Sequence, residues 1–311
     1  MRSSRGSQTA RSRWRDDVTV RVGVAQLHLP PLDVVRNVEA TVAAVEAAAD
    51  GGADIVVLPE LASTGYVLDS VLLQPVAEDV GAPGPALRAW ADVAKRRRIA
   101  IVAGFAERSG TALYNSAAVF GPDGKLETLY RKLHLFAGEV STFSPGDLGL
   151  PVVQVGASRV APLICYDLRF PEVVRILAVL RADLIAVPTA WVGGFDRESA
   201  DPDIGQVRTV RVLANLNSTP IACASQVGQA GPFQFLGSSV LVDAFGGDVA
   251  APASRTEICT VVLDLDERTT ALARDRGEGV APLRQRRVDV YDELLGYSPG
   301  SNEPSRSKET S

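Results

Sequence analysis

Two short runs, Asp54-Ile-Val-Val-Leu-Pro-Glu60 and Asp183-Leu-Ile-Ala-Val-Pro188, are apolar without interruption and stop at a proline. A strand with one wet face alternates polar and apolar residues. An unbroken apolar run of this length belongs instead to a strand covered on both faces, as in a sheet flanked by helices. A third run, Val160-Ala-Pro-Leu-Ile-Cys165, breaks at once into Tyr166-Asp-Leu-Arg-Phe-Pro-Glu172. Pro171 followed by Val173, Val174, Ile176, Leu177 and Leu180 predicts a helix begun at its first position, which puts Cys165 at a strand-to-helix corner. In α/β architectures such corners, at the carboxyl ends of strands, bind ligands, and the first N–H groups of a helix stabilise an anion. A thiol so placed is a candidate nucleophile, although a cysteine taken alone is more often a small buried hydrophobe.

The rest of the chain supplies partners for these strands. A first strand runs from Val18 through T-V-R-V-G-V-A-Q, and a helix from Asp33 to Ala49, N-capped by Asp33, presents Val34, Val38, Val42 and Val45 on one face and ends at Gly51-Gly52. A second helix spans Gly84 to Arg98, and its basic run Lys95-Arg-Arg-Arg98 reads as a solvated last turn. Strands follow at 99–107, 113–120 and 126–132, the last two joined by a Gly121-Pro-Asp-Gly124 turn. Residues 133–150 form a loop long enough to be functional. Residues 203–216 read as a helix, and 220–225, 235–242 and 258–265 as strands, with Asp243-Ala-Phe-Gly-Gly-Asp248 as a hairpin turn between the last two. About ten strands and four or five helices, with no linker or repeat, predict one α/β layered domain over 17–297. Residues 1–16, with five arginines and no acid before Asp16, read as a disordered basic tail with the composition of a transit peptide but not its apolar face, and 298–311 as a disordered polar tail.

Composition closes several function classes. A net charge of −5 over 311 residues gives no electrostatic footprint for nucleic acid, and no apolar run approaches the roughly 18 residues of a membrane span. Three cysteines, Cys165, Cys223 and Cys259, odd in number and far apart, fit reduced thiols in a cytoplasmic protein. With only His28 and His134 and no ligand spacing, neither a metal nor any other cofactor is expected. Glu60, Lys132 and Cys165 each stand at or just past the end of a predicted strand. Together they form a coherent set, in which a carboxylate takes the thiol proton, an ammonium stabilises an anion and a thiolate attacks carbonyl carbon. Each alone is more simply a solvated charge or a core thiol.

Five segments decide between these readings. L-P-E-L-A-S-T-G-Y (58–66), Y-R-K-L-H-L-F (130–136), G-E-V-S-T-F-S-P-G-D (138–147), L-I-C-Y-D-L-R-F-P-E (163–172) and V-P-T-A-W (187–191) resemble, in order, the nitrilase superfamily of carbon–nitrogen hydrolases. The resemblance implies a four-layer α-β-β-α sandwich, commonly paired into homo-oligomers. It makes Glu60 similar to the family's general base, Lys132 to its oxyanion-stabilising lysine, Cys165 to its nucleophile and Glu139 to a second glutamate that positions substrate and lysine. Tyr66, Phe143, Tyr166, Arg169, Trp191 and Phe195 are candidate pocket residues, with Arg169 equally a structural partner of Asp167 or Glu172. Nitrile-cleaving members usually follow the nucleophile with Trp-Glu. Tyr166-Asp167 here resembles the amidase branches. The implied reaction is hydrolysis of a small linear amide, omega-amidase-like or aliphatic amidase-like, through a cysteine thioester. Hydrolysis of N-carbamoyl amides or nitriles, or a catalytically silent binding module, are the alternatives. Where the family often has an acid before Asn215, this chain has Ala214.

Overall fold

The computed structural model describes residues 19–194, 201–250, 252–277, 280–288 and 290. Both expected tails, the last residues of the expected domain and Phe195 lie outside them. In chain order the elements are β1 (Thr19–Gln26), α1 (Val34–Asp50), β2 (Ile55–Val57), α2 (Ser70–Leu73), α3 (Pro85–Arg97), β3 (Ala100–Ser109), β4 (Ala112–Phe120), β5 (Leu126–Arg131), β6 (Val153–Val155), β7 (Ser158–Pro162), α4 (Pro171–Val179), β8 (Leu184–Thr189), α5 (Gly205–Asn217), β9 (Ile221–Ser225), β10 (Val227–Ala230), β11 (Phe233–Leu236), β12 (Val240–Val242), β13 (Cys259–Asp266) and α6 (Glu267–Arg274).

These strands make a six-stranded sheet ordered β13-β1-β2-β3-β4-β5, a five-stranded sheet ordered β12-β9-β8-β7-β6, and a β10-β11 hairpin. Each large sheet has a parallel centre, β1-β2-β3 in one and β7-β8-β9 in the other, with antiparallel strands outside. The apolar runs fill both faces of these central strands. In β2, Ile55 and Val57 point into the seam between the sheets, while Val56 and the following Leu58 pack under α1 and α3. In β8, Leu184 and Ala186 face the seam, and Ile185 and Val187 face α4 and α5. Three cores are therefore stacked as helix on sheet, sheet on sheet and sheet on helix, which is the expected α-β-β-α sandwich in one domain.

Local structure departs from the sequence reading in instructive ways. The buried stripe of α1 is Asn37, Thr41, Ala44, Val45 and Ala48, with Val34, Val38 and Val42 only partly buried. Polar side chains are tolerated there because each finds a partner: Asn37 donates to the Pro30 carbonyl at 3.0 Å, and Thr41 accepts from the indole N–H of buried Trp90 on α3 at 3.0 Å. The basic end of α3 is only partly solvated, since Arg96 and Arg97 pair with Glu46, and Arg97 also with Asp50, tying α3 to α1. The expected strand 235–242 is broken at Gly237 and Ser238, both at positive φ (58° and 59°), a conformation that cannot continue a strand. Its first part pairs in the hairpin and its second with β9. The turn at 243–248 folds back on β12, but it does not join a hairpin. β12 and β13 belong to different sheets.

Candidate active site

Cys165 does not open α4. The strand ends at Pro162, and one 3-10 turn, Cys165–Arg169, separates it from the helix that Pro171 begins. The corner is therefore longer than expected, and the N–H groups beside the thiol belong to that turn. Cys165 holds φ at +42°, a conformation that is unfavourable for any side chain with a Cβ. Buried Asp167 fixes the turn: it accepts from the backbone N–H of Ile164 (3.1 Å), the hydroxyl of Tyr130 (2.7 Å), and both the backbone N–H (3.1 Å) and Nδ1–H (2.8 Å) of His134. Two of these donors flank Lys132 in sequence. Asp167 thus ties the cysteine turn to the lysine segment.

Lys132, one residue past β5, is 1 % exposed, and its Nζ lies 2.7 Å from Glu60 Oε1 and 2.8 and 2.9 Å from the two oxygens of Glu139. Glu139 sits in a second 3-10 turn, Ala137–Ser141, built on the same device as the cysteine turn. The acid at the third position reaches back to the N–H preceding the turn, here that of Phe136 at 2.8 Å. Glu139 also accepts from the Tyr66 hydroxyl at 2.7 Å. Asn115 on β4, which sequence reasoning missed, donates to both carboxylates, at 2.8 Å to Glu60 and 3.2 Å to Glu139. Glu60 Oε2 and Asn115 Oδ1 are buried with no hydrogen-bond partner among the described residues. Close backbone approach sets these distances. A Cβ on Gly104 of β3 would fall 2.6 Å from the Glu60 Cα, and one on Gly146 would fall 2.1 Å from the Arg131 carbonyl oxygen, so glycine is required at both.

The electrostatics follow from two buried carboxylates sharing one buried ammonium. Burial raises Glu60 above the ordinary carboxylate range; Lys132 opposes that shift, and Glu139 adds to it. Burial works against the charge on Lys132, but the two carboxylates outweigh it and keep the ammonium protonated. Burial and the Glu60 charge push the Cys165 thiol well up, against the pull of Lys132 and the Ala190 backbone N–H. A thiolate would be a third anion here, so the resting form is the thiol.

Above the cluster a cleft of about 470 Å³, counted out to its mouth, is lined by Tyr66, Tyr166, Arg169 and Trp191, four of the expected pocket residues. Phe143 is not among them: it is buried in a separate core with Leu61, Leu73 and Leu113 behind Tyr66. Tyr66 is itself held edge-on by Phe233 and Phe235 of the β10-β11 hairpin, which also accounts for Trp191, whose carbonyl accepts from Leu236 N–H at 2.8 Å. Arg169 stands exposed at the rim of the cleft. Gln206 and Thr209, from the first turns of α5, complete the wall and were not singled out from sequence. Among the described residues no group of three histidine, cysteine or acidic side chains is arranged to hold a metal, and no helix is long and apolar enough to cross a membrane.

This geometry meets its counterpart among known proteins. The family model of carbon-nitrogen hydrolases matches residues 21–274. The chain belongs to that family. A nitrilase of Pyrococcus abyssi is 35 % identical over 79 % of this chain and 90 % of its own. An (R)-stereoselective amidase of Pseudomonas is 34 % identical over 91 % and 97 %. The crystal structure of an amidase from Nesterenkonia superposes with a TM-score of 0.75 at 28 % identity, covering 89 % of this chain and 96 % of the other. Mutants of that amidase show the acetamide moiety of fluoroacetamide covalently added at the active-site cysteine. This carbon–nitrogen hydrolase is thus an enzyme of amide bonds on the amidase-like side of its superfamily. Ala214, on the inner face of α5, is wholly buried in the core.

Proposed function

We propose that the protein hydrolyses small linear amides to ammonia and a carboxylic acid through a Cys165 thioester, with Glu60 as the proton carrier. The observation that carries this reading is the unpartnered Glu60 Oε2, the one carboxylate oxygen of the cluster without a hydrogen-bond partner among the described residues. The other Glu60 oxygen is held by Lys132 and Asn115.

In the first half-reaction the sulfur bonds to the amide carbon as its proton passes to Glu60 Oε2, and the carbonyl π pair moves to oxygen. No free thiolate need accumulate, which matters because burial and the Glu60 charge both disfavour it. As Glu60 is neutralised, its hold on Lys132 weakens. The ammonium carries three N–H donors, and both oxygens of Glu139 have other donors, so one N–H can turn to the developing oxyanion. The backbone N–H of Tyr166, next in the cysteine turn, is assigned as its second donor. Glu60 then protonates the amide nitrogen, the C–N bond breaks and ammonia leaves.

In the second half Glu60 takes a proton from water, the new C–O bond forms, the C–S bond breaks and the proton returns to sulfur. Glu139 acts by positioning Lys132. Tyr166-Asp167, which resembles the amidase branches rather than the Trp-Glu of nitrile-cleaving members, supports amide over nitrile as substrate. The test is a screen of short amides for ammonia and acid in equal amounts, with hydroxylamine present to divert the acyl group to a hydroxamate. Turnover that thiol alkylation abolishes supports the reading, and turnover indifferent to alkylation contradicts it.

A further inference from the structure

The wall of the cleft carries an unanswered acceptor. Gln206, the second residue of α5, lines the pocket and is 8 % exposed. Its Nε2 donates to the Val192 carbonyl at 3.0 Å, while its Oε1 is buried with no hydrogen-bond partner among the described residues. The orientation of this amide follows from chemistry, because a carbonyl only accepts and the atom facing Val192 must be the nitrogen. One helical turn on, Thr209 lines the same cleft and spends its only hydroxyl proton on the Gly205 carbonyl at 2.9 Å, so it too offers lone pairs. Tyr166, Trp191 and Leu168 make the remaining surface there largely aromatic and apolar. A buried acceptor without a donor is costly, and a substrate that brings the donor recovers that cost on binding.

We infer that Gln206 is a specificity-determining residue that selects amides whose acyl chain carries a neutral hydrogen-bond donor, such as a second carboxamide or a hydroxyl. This inference rests on the amide reading above and deepens it. A carboxylate at the same place would set acceptor against acceptor. Amides ending in a carboxylate therefore gain nothing from Gln206.

The test compares near-isosteric pairs: malonamide, succinamide and glutaramide against the corresponding monoamide acids, with butanamide and pentanamide as apolar references. The readouts are kcat/KM for ammonia release and, separately, affinity for Cys165→Ala protein by calorimetry. For the best-fitting chain length the diamide should exceed both its acid and the apolar reference by about tenfold or more. Gln206→Met, similar in volume and without the acceptor, should erase that preference chiefly through KM, bringing the diamide and its apolar reference to similar kcat/KM. A Gln206→Met protein that keeps the diamide preference, or that loses activity equally on every amide, would overturn the assignment, as would tightest binding of a monoamide acid. Because calorimetry on Cys165→Ala protein needs no chemistry, selective diamide binding without turnover would sink the proposed reaction and leave the role of Gln206 standing. Turnover without selectivity would do the reverse.

Discussion

Strands β4 and β5, with the residue that follows β5, carry two ionic clusters built from adjacent residues. Ser116 and Arg131 belong to one, Asn115 and Lys132 to the other. In the first, Arg131 grips both oxygens of Glu107, Ser116 donates to Glu107 at 2.6 Å, and Arg131 also reaches Asp147 at 2.8 Å while lying 3.8 Å over the Tyr114 ring. Both oxygens of Glu107 are answered. In the second, two carboxylates share one ammonium, and Glu60 Oε2 and Asn115 Oδ1 have no partner among the described residues. Strand position is nearly the same in both, and each pairs one cation with two carboxylates, although Asp147 of the first is 57 % exposed and the charges of the second are buried. Their satisfaction differs. A fully answered cluster holds strands together, and one left partly unanswered is available for chemistry at the expense of stability.

The largest expected contrast is in activity. Cys165→Ala, Lys132→Ala and Glu60→Gln should each lower kcat/KM about a hundredfold or more, whereas Arg131→Met and Glu107→Gln should leave it within about tenfold per folded molecule. In denaturant unfolding the order reverses. Glu107→Gln leaves the partly buried Arg131 guanidinium with only Asp147 as a charged partner and should cost about 1–3 kcal/mol. Glu60→Gln should instead hold or raise stability at neutral pH. The folded state raises the Glu60 pKa above its ordinary value of 4.5, so it binds more protons than the unfolded chain and loses stability as pH rises from that value through the folded one. The glutamine variant escapes this loss. Lower stability of Glu60→Gln at pH 7 would erase the distinction drawn between the clusters.

A finer contrast lies in pH dependence. The acid limb of kcat/KM should fall above 4.5 because Glu60 must be ionised to accept the thiol proton. The charge of Glu139 contributes to that elevation, so Glu139→Gln should move the limb downward as well as slow turnover. An upward shift would mean that Glu139 acts only by orienting Lys132. The smallest effects are expected at the two remaining cysteines. Cys223 is wholly buried, and Cys259, the first residue of β13, only partly so. Cys223→Ser should lower the melting temperature by several degrees, Cys259→Ser by less, and neither should change kcat/KM.

What the sequence disclosed divides along the same line. Unbroken apolar runs at 54–59 and 183–188 announced central strands because burial on both faces leaves a one-dimensional mark. Glu60, Lys132 and Cys165 were legible as residues at strand ends, and Glu139 through resemblance. Asn115 was not, since an asparagine inside an otherwise ordinary strand carries no local signal. Its importance comes from β4 lying between the Glu60 and Glu139 loops. Gln206 was hidden in the same way on an amphipathic helix. The break at Gly237-Ser238 was missed although Gly237-Ser-Ser239 interrupts the apolar run with turn-forming residues, and two successive left-handed residues do not permit a strand. Phe143 looked like a pocket aromatic for its place in a motif, but it packs behind Tyr66 and supports the pocket from outside.

The central claim is that Cys165 bonds to the substrate's acyl carbon while Glu60 moves the protons. Rapid-quench mass spectrometry on the wild-type enzyme with a slowly hydrolysed amide tests it most directly. The account predicts an acyl adduct on the peptide containing Cys165, formed as fast as the first equivalent of ammonia appears and absent in Glu60→Gln on the same timescale. Ammonia release with neither a Cys165 adduct nor a trapped hydroxamate from any turnover substrate would mean that water attacks the amide directly, and Cys165 would lose its assigned role.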